Sequence, residues 1–379
     1  MTRWAILTGE YPPQRGGVSD YTRLVAESLA EAGDEVHVWA PAVSGSSSNH
    51  TGVTVHCLPD HYGPRSLRCV DADLQRLGSR ARILVQYVPH AFGWKAMNLP
   101  FCLWLSNRWR KRFEVMFHEV CFSLVPGQPW KHQLLGRVTR RMAGLVHRAA
   151  QRSWVSIPAW ADLLRQLVPG QQPIQWLPVP STLPTEAKPA DVAKLRQRIA
   201  PEPGARVVGH FGTFGTPIAR LLSATLPRLL RADRNYRALL VGLHSQEFRQ
   251  QILKEHAMLE QRILATGPLA PEDAVNSLAA SDLLLQPYIE GVSSRRTSVM
   301  AGLALGLPIV TTEGPLSEPV WREGGAVALV PALDPDALVA SSLVLLQQEA
   351  KRKQLGHAAG LFYRRHFSVE RVIHSLRSV

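Results

Sequence analysis

Short apolar runs alternate with amphipathic segments along almost the whole chain, and this alternation constrains the fold more than any other feature. In the first half, strands are predicted at residues 4–8, 35–40, 53–58, 83–88, 112–117, 153–157 and 174–177. Helices are predicted between them at residues 20–32, 72–77, 99–109 and 133–151. Strands that alternate with helices form βαβ units, whose strands lie parallel in one sheet. The first half therefore predicts a doubly wound parallel α/β sheet.

The same alternation restarts after a segment rich in Pro, Ala and charged residues at 182–203. Strands are predicted at 206–210, 238–242, 262–266, 283–285 and 307–312, and helices at 218–231, 245–258, 271–280, 292–305, 335–348 and 370–376. A chain of 379 residues is long for a single hydrophobic core. We therefore predict an N-terminal domain (1–182), a linker (183–203), a C-terminal domain (204–360) and a final helical segment (361–379), for which a return to the N-terminal domain stays open.

The net charge of +13 predicts an anionic partner: a nucleotide, a nucleic acid or an acidic lipid surface. No nucleic-acid-binding motif is recognisable, so we expect no nucleic acid partner. The four cysteines form no CxxC pattern, which argues against a zinc site or a disulfide framework. The N-terminus has no apolar run of signal-peptide length, and no stretch approaches the ~20 apolar residues of a membrane span. We therefore expect a cytoplasmic protein.

Residues 286–312, QPYIEGVSSRRTSVMAGLALGLPIVTT, bring a dense group of polar side chains to a predicted strand end. The loop after the predicted strand and the start of the predicted helix carry one carboxylate, two hydroxyls and two guanidinium groups, from Glu290, Ser293, Ser294, Arg295 and Arg296. Loops at the carboxyl ends of parallel strands are where open α/β sheets bind ligands. Helix N-terminal amides and adjacent arginines favour phosphate. The stretch predicts a phosphate or diphosphate site beside a carboxylate, and a solvated helix start with serine caps is the alternative.

A glycine pair, Gly16 and Gly17, lies in the first predicted turn between a strand and a helix. The pattern GGVSD is not GxGxxG, so the dinucleotide-binding fingerprint is absent. Two adjacent glycines still allow a backbone to approach a ligand closely. A tight turn that binds nothing is the alternative.

Six stretches carry a resemblance to one known family: EYPPQRGGVSDY, VQYVPHAFG, VMFHEV, LPVPS, ATGPL and residues 286–312. On these motifs the chain resembles a GT-B glycosyltransferase of glycosyltransferase family 4 over nearly its full length. The resemblance implies two Rossmann-like domains that face each other across a cleft, with the acceptor at the first and the donor nucleotide at the second. It also implies a retaining hexosyltransferase that moves a sugar from a nucleoside-diphosphate sugar to an acceptor hydroxyl, in glycan, glycolipid or polysaccharide biosynthesis.

The resemblance places the family's functional residues on positions of this sequence. Gly16 and Gly17 correspond to the glycine turn that meets the donor phosphate and the acceptor. His118, after its predicted strand, corresponds to the histidine near the reacting sugar. Glu290 corresponds to the first Glu of the family's Glu-x7-Glu motif, which contacts the sugar ring. Further donor contacts are expected at Gly212, Thr213, Gly242, Gly267, Ser293, Ser294 and Ser298.

Two departures from the family pattern change this expectation. Ser298 stands where the family has its second Glu, which usually holds the ribose hydroxyls, so ribose recognition is expected to differ. The segment HFGTFGTPIAR lacks the Arg and Lys that grip the diphosphate in the family. We infer that Arg295 and Arg296 take over the neutralisation of charge, helped by backbone amides near residues 212–213 and 293–294.

No acidic pair lies at a predicted strand end where Mg²⁺ would be expected. Asp71 and Asp73 fit the spelling DxD, but they fall in a predicted helical segment and are interpreted as surface charge. Preorganised guanidinium and amide donors can stabilise a departing diphosphate without a metal. We therefore expect no metal and no cofactor besides the nucleotide-sugar donor.

A basic stretch, NRWRKR, follows the apolar run FCLWL and contributes Arg108, Arg110, Lys111 and Arg112. Apolar and aromatic residues beside Lys and Arg fit peripheral attachment to anionic lipid at the inner face of the plasma membrane. A solvated helix face fits the same residues equally well. If the protein attaches to the membrane, a lipid-linked acceptor is favoured. If it does not attach, a soluble sugar acceptor fits equally well.

Three hypotheses about function therefore stay open. The first is the retaining glycosyltransferase. The second is a catalytically degenerate GT-B protein that binds nucleotide or glycan, because the second Glu and the Arg/Lys pair are missing. The third is a peripheral membrane-surface scaffold, which depends on the basic stretch alone.

Overall fold

The computed structural model describes residues 1–14, 16–42, 52–170 and 173–378. The flexible surface loop that the Ser-rich run at 44–49 predicts lies outside these ranges. The chain forms two compact units. Unit 1 contains Met1–Val179 together with Val369–Val379, and unit 2 contains Pro180–Ser368.

Unit 1 is built on a parallel sheet. Its described strands are β1 (Arg3–Thr8), β2 (Glu35–Pro41), β3 (Val53–Leu58), β4 (Arg82–Tyr87), β5 (Phe113–Phe117), β6 (Arg152–Val155) and β7 (Ile174–Trp176). Their order across the sheet is β3-β2-β1-β4-β5-β6-β7. The described helices between them are α1 (Gly17–Glu31), α2 (Pro64–Leu77), α3 (Leu99–Arg108), α4 (Trp130–Ala149) and α5 (Pro158–Leu167).

The central strand β1 shows why the sequence forms this sheet. Ile6 pairs in parallel register with Val38 on one side and Leu84 on the other. Ile6 belongs to the core on one face of the sheet, and Leu7 belongs to the core on the opposite face. A strand that is covered on both faces reads as a continuous apolar run, as RWAILT does here. The predicted doubly wound α/β sheet is confirmed.

Unit 2 repeats the architecture. Its described strands are β8 (Arg206–Phe211), β9 (Tyr236–Val241), β10 (Ile263–Ala265), β11 (Leu283–Gln286), β12 (Ile309–Glu313) and β13 (Ala328–Pro331), in the order β10-β9-β8-β11-β12-β13. The described helices are α6 (Pro189–Ile199), α7 (Thr216–Ala232), α8 (Ser245–Glu255), α9 (Pro271–Ala279), α10 (Thr297–Ala304), α11 (Pro319–Glu323), α12 (Pro335–Gln347) and α13 (Glu349–His366). Every pairing between these strands is parallel.

Each sheet has one point at which the strand order reverses. In unit 1 this point lies between β1 and β4, and in unit 2 it lies between β8 and β11. Open α/β sheets bind ligands outside the carboxyl ends of the strands at such a point. The loops that follow these four strands are therefore the places where functional side chains are expected.

The prediction of a linker at 183–203 is wrong, because this segment contains α6, which packs within unit 2. Ile199 lies in a core cluster with Val207. Nη2 of Arg196 lies 2.6 Å from Oδ2 of Asp282. The composition of this segment is polar because α6 is a surface helix with a narrow buried face, and only Ile199 is buried within it.

The predicted C-terminal segment at 361–379 belongs to two different elements. Its first residues complete α13 in unit 2, and the chain then forms α14 (Val369–Arg377) in unit 1. Val372 and Leu376 lie in the same core cluster as Tyr21 of α1. Nε of Arg377 lies 3.1 Å from Oδ2 of Asp34. The end of the chain is therefore part of the packing of unit 1.

Several predicted helices have different bounds in the structure; α2, for example, begins at Pro64 and not at residue 72. The helix predicted at 292–305 begins only at Thr297, because Arg296 has an extended backbone with φ −89° and ψ 91°. The helix predicted at 133–151 is α4, which starts three residues earlier and ends at Ala149. Arg152 therefore lies in β6 rather than on the helix, and its guanidinium lies 5.3 Å from the ring centroid of Trp154. In the described part of the chain, no helix combines the length and the apolar character needed to cross a membrane.

Gly9, directly after β1, tests how tightly the switch point of unit 1 is packed. A Cβ at Gly9 would overlap the backbone carbonyl of Ala91. We expect Gly9→Ala to lower the free energy of unfolding by about 1–3 kcal/mol, because one of the two backbone segments must shift to relieve the overlap. Gly17→Ala is the control, since a Cβ there would meet nothing within 4 Å. Equal denaturant-unfolding free energies for the two variants would contradict this packing.

Candidate functional site

Arg295 and Arg296 converge on the carboxylate of Glu290 in the loop after β11. Nη2 of Arg295 donates to Oε2 of Glu290 at 3.0 Å, and Nη2 of Arg296 donates to the same oxygen at 3.3 Å. Glu290 is about half exposed, whereas both arginine side chains are largely buried. Two positive charges against one negative charge leave the cluster cationic. The structure thus brings Glu290, Arg295 and Arg296 together, and their role in binding an anion stays a prediction.

The backbone beneath this cluster is fixed by close contact between two loops. Gly291 has φ +85°, and a Cβ on it would overlap the backbone nitrogen of Gly314, directly after β12. The amide of Leu316 donates to the carbonyl oxygen of Glu290 at 2.9 Å. Only glycine fits both the left-handed conformation and the close approach. Glu290 is therefore held in place from both sides of its peptide unit.

Ser298 has a partner that the family pattern does not predict. Its Oγ lies 2.7 Å from the hydroxyl of Tyr288, and burial raises the pKa of that hydroxyl. The guanidinium of Arg296 lies 4.8 Å from the ring centroid of Tyr288, within cation–π distance. Ser298 therefore contacts Tyr288, the residue whose ring packs against the guanidinium of Arg296. A direct contact between Ser298 and a ribose stays a prediction.

Glu318 is a buried acid that the sequence reasoning missed. Its Oε1 accepts from the backbone amide of Ser294 at 2.9 Å and from the Ser294 hydroxyl, and its Oε2 accepts from Nε1 of Trp321 at 2.7 Å. Burial raises the pKa of this carboxyl, and the three donors act in the opposite direction. The only sequence signal was a Glu before Pro at a helix start, which is common on surfaces.

This arrangement bears on the predicted donor contact of Ser294, whereas a donor contact of Ser293 stays a prediction. Both residues are fully buried, and they precede the helix instead of opening it. The amide of Ser294 is occupied by Glu318. Ser294 therefore anchors the loop that carries Arg295 and Arg296, and it is not available as a diphosphate donor in this conformation.

The predicted donor-site glycines of unit 2 pack against one another. The amide of Gly212 donates to the carbonyl of Val241 at 3.1 Å, and the amide of Gly242 donates to the carbonyl of Gly267 at 3.2 Å. The Gly267 amide donates to Oγ of Ser245 at 2.8 Å. Their amides are thus occupied, so these glycines serve close packing of the strand ends rather than direct amide donation to an anion.

His210 in β8 is a second residue that the sequence reasoning missed. Its Nδ1 lies 2.7 Å from the carbonyl oxygen of Leu285, so Nδ1 carries the proton and donates. Burial lowers the pKa of His210 to about 4, which keeps the ring neutral. Its buried Nε2 has no hydrogen-bond partner among the described residues. This acceptor lies beside Gly212, one residue before the exposed Thr213.

His118 lies directly after β5 in unit 1 and is buried. Its Nε2 lies 2.8 Å from Oε1 of Gln86, and its ring meets the ring of Tyr21 edge-on with centroids 4.7 Å apart. Burial lowers the pKa of His118 to about 3. The imidazole is therefore neutral at physiological pH. It can accept or donate a hydrogen bond there, but it cannot serve as a charged acid.

The glycine pair of unit 1 lies beside a carboxylate. A Cβ at Gly16 would lie 2.5 Å from Oε2 of Glu10, whereas Gly17 is open. Oε1 of Glu10 lies 3.6 Å from Nε2 of the half-exposed His90, and this contact is the largest cause of the raised pKa of His90. A carboxylate repels phosphate, so this turn suits hydroxyl groups better than the donor phosphate that the family pattern places there.

The basic stretch after α3 is less available than its sequence suggests. Arg108 is paired with Asp71, with Nε 3.0 Å from Oδ1. Nζ of Lys111 donates to the carbonyl of Ala150 at 2.9 Å. Trp109 is buried beneath the guanidinium of Arg112, and Phe101, Cys102 and Leu105 lie in the core of unit 1, whereas Leu103 is exposed. Membrane attachment through this stretch stays a prediction.

Asp71 and Asp73 are engaged with protein side chains in α2. Asp71 pairs with Arg108, and Asp73 accepts from Nε1 of Trp39 at 3.2 Å. Within the described ranges, no group of three or more His, Cys, Asp or Glu side chains is arranged to hold a metal ion.

Both halves of the chain match glycosyltransferase families. Residues 16–180 match the glycosyl transferase 4-like domain, and residues 205–348 match the glycosyl transferases group 1 family. The two matches together span most of the chain, which therefore belongs to the glycosyltransferases that combine these domains. No curated protein sequence matches it.

Solved glycosyltransferases share the fold at low sequence identity. Sucrose-phosphate synthase from Thermosynechococcus elongatus is 18% identical, over 100% of this chain and 98% of its own, with a TM-score of 0.74. WaaG, a glycosyltransferase involved in lipopolysaccharide biosynthesis, is 15% identical over 99% and 100%, with a TM-score of 0.68. HepE from Anabaena, in complex with UDP-glucose, is 17% identical over 100% of both chains, with a TM-score of 0.67. The two-domain, Rossmann-like GT-B fold is confirmed.

Glu318 generates a prediction about stability. We expect Glu318→Ala to lower the free energy of unfolding by about 3 kcal/mol, because it leaves the buried Ser294 and Trp321 donors unpaired. Glu313→Ala is the matched control, since its ion pair with Arg322 is exposed and contributes less than about 1 kcal/mol. Denaturant unfolding of both variants measures the difference, and equal losses would contradict the anchoring role of Glu318.

His118 generates a prediction about pH. Its folded pKa of about 3 lies below the ordinary value of 6.5, so the unfolded chain takes up the proton first as pH falls. Stability contributed by neutral His118 is complete above pH 6.5 and decreases toward pH 3, by up to about 1.4 kcal/mol per pH unit. We expect the slope of unfolding free energy against pH between 4 and 6 to be shallower in His118→Gln. An unchanged slope would show that His118 titrates normally.

Proposed function

We propose that this protein is a retaining glycosyltransferase that moves a hexosyl group from a nucleoside-diphosphate sugar to an acceptor hydroxyl. The observation that carries the proposal is the cationic cluster of Arg295 and Arg296 on Glu290, at the carboxyl end of β11 in the group 1 domain. Nucleotide-sugar binding by HepE, which was solved with UDP and with UDP-glucose, supports a donor of this class.

A diphosphate can replace the Glu290 carboxylate as the partner of the two arginines. Without a donor, Glu290 neutralises part of the charge on the two guanidinium groups. When a diphosphate arrives, its oxygens offer the same fork-shaped donors a stronger partner, because charge-assisted bonds to phosphate can be bidentate. Glu290 is then released toward the sugar hydroxyls, which matches the sugar contact that the family pattern assigns to it.

The chemical step needs stabilisation of the departing diphosphate. The bond between the anomeric carbon and the β-phosphate oxygen breaks, and its electron pair stays on that oxygen. The acceptor oxygen bonds to the same face of the sugar, and its proton passes to the departing phosphate oxygen. Donors aimed at this developing charge contribute most to such catalysis, and losing one costs about 3 kcal/mol. We propose that the two arginines supply this stabilisation without a metal ion.

The residues at the switch point of unit 1 suit an uncharged acceptor. His118 is neutral, and when its Nε2 donates to Gln86 its Nδ1 holds a lone pair that can accept from a sugar hydroxyl. Glu10 and His90 form a carboxylate–imidazole pair beside Gly16, and such a pair can hold two neighbouring hydroxyls. These features support a sugar acceptor, soluble or lipid-linked, for glycan, glycolipid or polysaccharide synthesis in the cytoplasm.

A degenerate binding protein is the second candidate function. The observation in its favour is Ser298, which bonds Tyr288 where the family has its second Glu. Such a protein would bind nucleoside diphosphates or their sugars, and it would show neither donor hydrolysis nor transfer with any acceptor. Turnover of a single nucleotide sugar eliminates this candidate.

The two arginines give the direct test of the proposal. We expect Arg295→Ala and Arg296→Ala to lower turnover at saturating donor by about tenfold or more, because each removes a donor to the departing diphosphate. Arg322→Ala is the matched control, since this arginine is exposed and paired with Glu313 in the same unit. Thermal unfolding establishes that all three variants are folded. Wild-type turnover in both site variants would refute the assigned role.

A further inference from the structure

The first half of α4 and the loop before it expose a group of apolar side chains. Trp130 is 70% exposed, Val125 is 50% exposed and Leu134 is 46% exposed. Phe122 and Leu124 are also exposed beside them. A single exposed apolar side chain needs no explanation, but several in one short segment indicate an interaction surface. We call this group, with the basic residues described next, the α4 surface.

The loop of the α4 surface is held against the helix by specific contacts. The amide of Phe122 donates to Oγ1 of Thr139 at 3.2 Å. A Cβ at Gly136 would lie 2.5 Å from Cδ2 of Leu124, so glycine at this helical position makes room for the leucine. Nε2 of Gln133 donates to the carbonyl of Gln128 at 3.2 Å. The apolar side chains are thus presented by an ordered framework.

Positive charge continues the same line along α4. Arg137, Arg141 and Arg148 are exposed, and with Trp130 and Leu134 they fall within about 60° of one line on the helix surface. Between Glu119 and Asp162 the sequence contains no acidic residue. Two neighbouring arginines do not join this line, because Nε of Arg140 is buried and Arg152 lies in β6.

We propose that the α4 surface docks on an anionic lipid bilayer. Trp130, Leu134 and the apolar loop enter the boundary between headgroups and acyl chains, where indole rings are favoured. The arginine row lies along the same side of the helix and meets the anionic headgroups. This attachment site differs from the stretch at Arg108–Arg112, and the proposal stands whether or not the protein transfers sugar.

The charge of the α4 surface argues against two other occupants. A second copy of the chain packed on this face would bring two arginine rows together, and like charges repel in such an interface. A nucleic acid would attract the arginines, but it would leave Val125, Leu134 and the exposed loop residues without an apolar partner. An anionic bilayer offers headgroups to the arginines and acyl chains to the apolar side chains.

Vesicle sedimentation of the full-length protein tests the proposal. We expect binding to vesicles of phosphatidylcholine with phosphatidylglycerol, and much weaker binding to phosphatidylcholine alone. Trp130→Ser/Leu134→Ser should weaken binding about tenfold or more. Arg137→Gln/Arg141→Gln should weaken it about fivefold for each lost cation and lower its sensitivity to salt.

Two matched variants control for the loss of apolar surface and of charge elsewhere. Met258→Ser/Leu361→Ser removes two exposed apolar side chains from unit 2, and Arg364→Gln/Arg365→Gln removes two exposed cations from α13. Both should bind vesicles like the wild type, and thermal unfolding should be unchanged in all four. Vesicle binding that is equal in all variants overturns the proposal. So does a wild-type dimer that Trp130→Ser/Leu134→Ser converts to a monomer without any vesicle binding, because a second copy is then the occupant.

Discussion

The site depends first on the ion pairs that the Glu290 carboxylate forms with two adjacent guanidinium groups. Glu290 accepts from Nη2 of both Arg295 and Arg296, and its backbone is held where Gly291 and Gly314 bring two loops into contact. Glu318 fixes the other end of the same loop through Ser294. The two guanidinium groups are therefore held in position while Glu290 neutralises part of their charge. Preorganised donors of this kind are what the proposed electrostatic catalysis needs.

Both units also have a buried, neutral histidine near the carboxyl end of a central strand. His118 in unit 1 and His210 in unit 2 both follow or end a central strand, and burial lowers the pKa of each well below physiological pH. Each ring is oriented by one hydrogen bond to Gln86 or to the carbonyl of Leu285. Such rings recognise hydroxyl groups through fixed lone pairs and N–H groups, and they add no charge to compete with the arginines.

The sheets were predictable from sequence because strands covered on both faces are uninterrupted apolar runs, as RWAILT and YRALLV are. The start of α10 was not, since Ser, Arg and Val are compatible with a helix, whereas in the structure the Ser294 amide is bonded to the distant Glu318. The sequence also placed Glu290 beside Arg295 and Arg296 correctly. It could not show that the amides of Gly212, Gly242 and Gly267 already have protein acceptors, because these bonds join residues far apart in the sequence.

A structure of the protein with a bound nucleoside diphosphate is the direct test of the role of the two arginines. We expect the terminal phosphate to lie within hydrogen-bond distance of Arg295 and Arg296, and the Glu290 carboxylate to have moved off both guanidinium groups. A diphosphate bound elsewhere, with both arginines still paired to Glu290 as they are at 3.0 and 3.3 Å here, would contradict it.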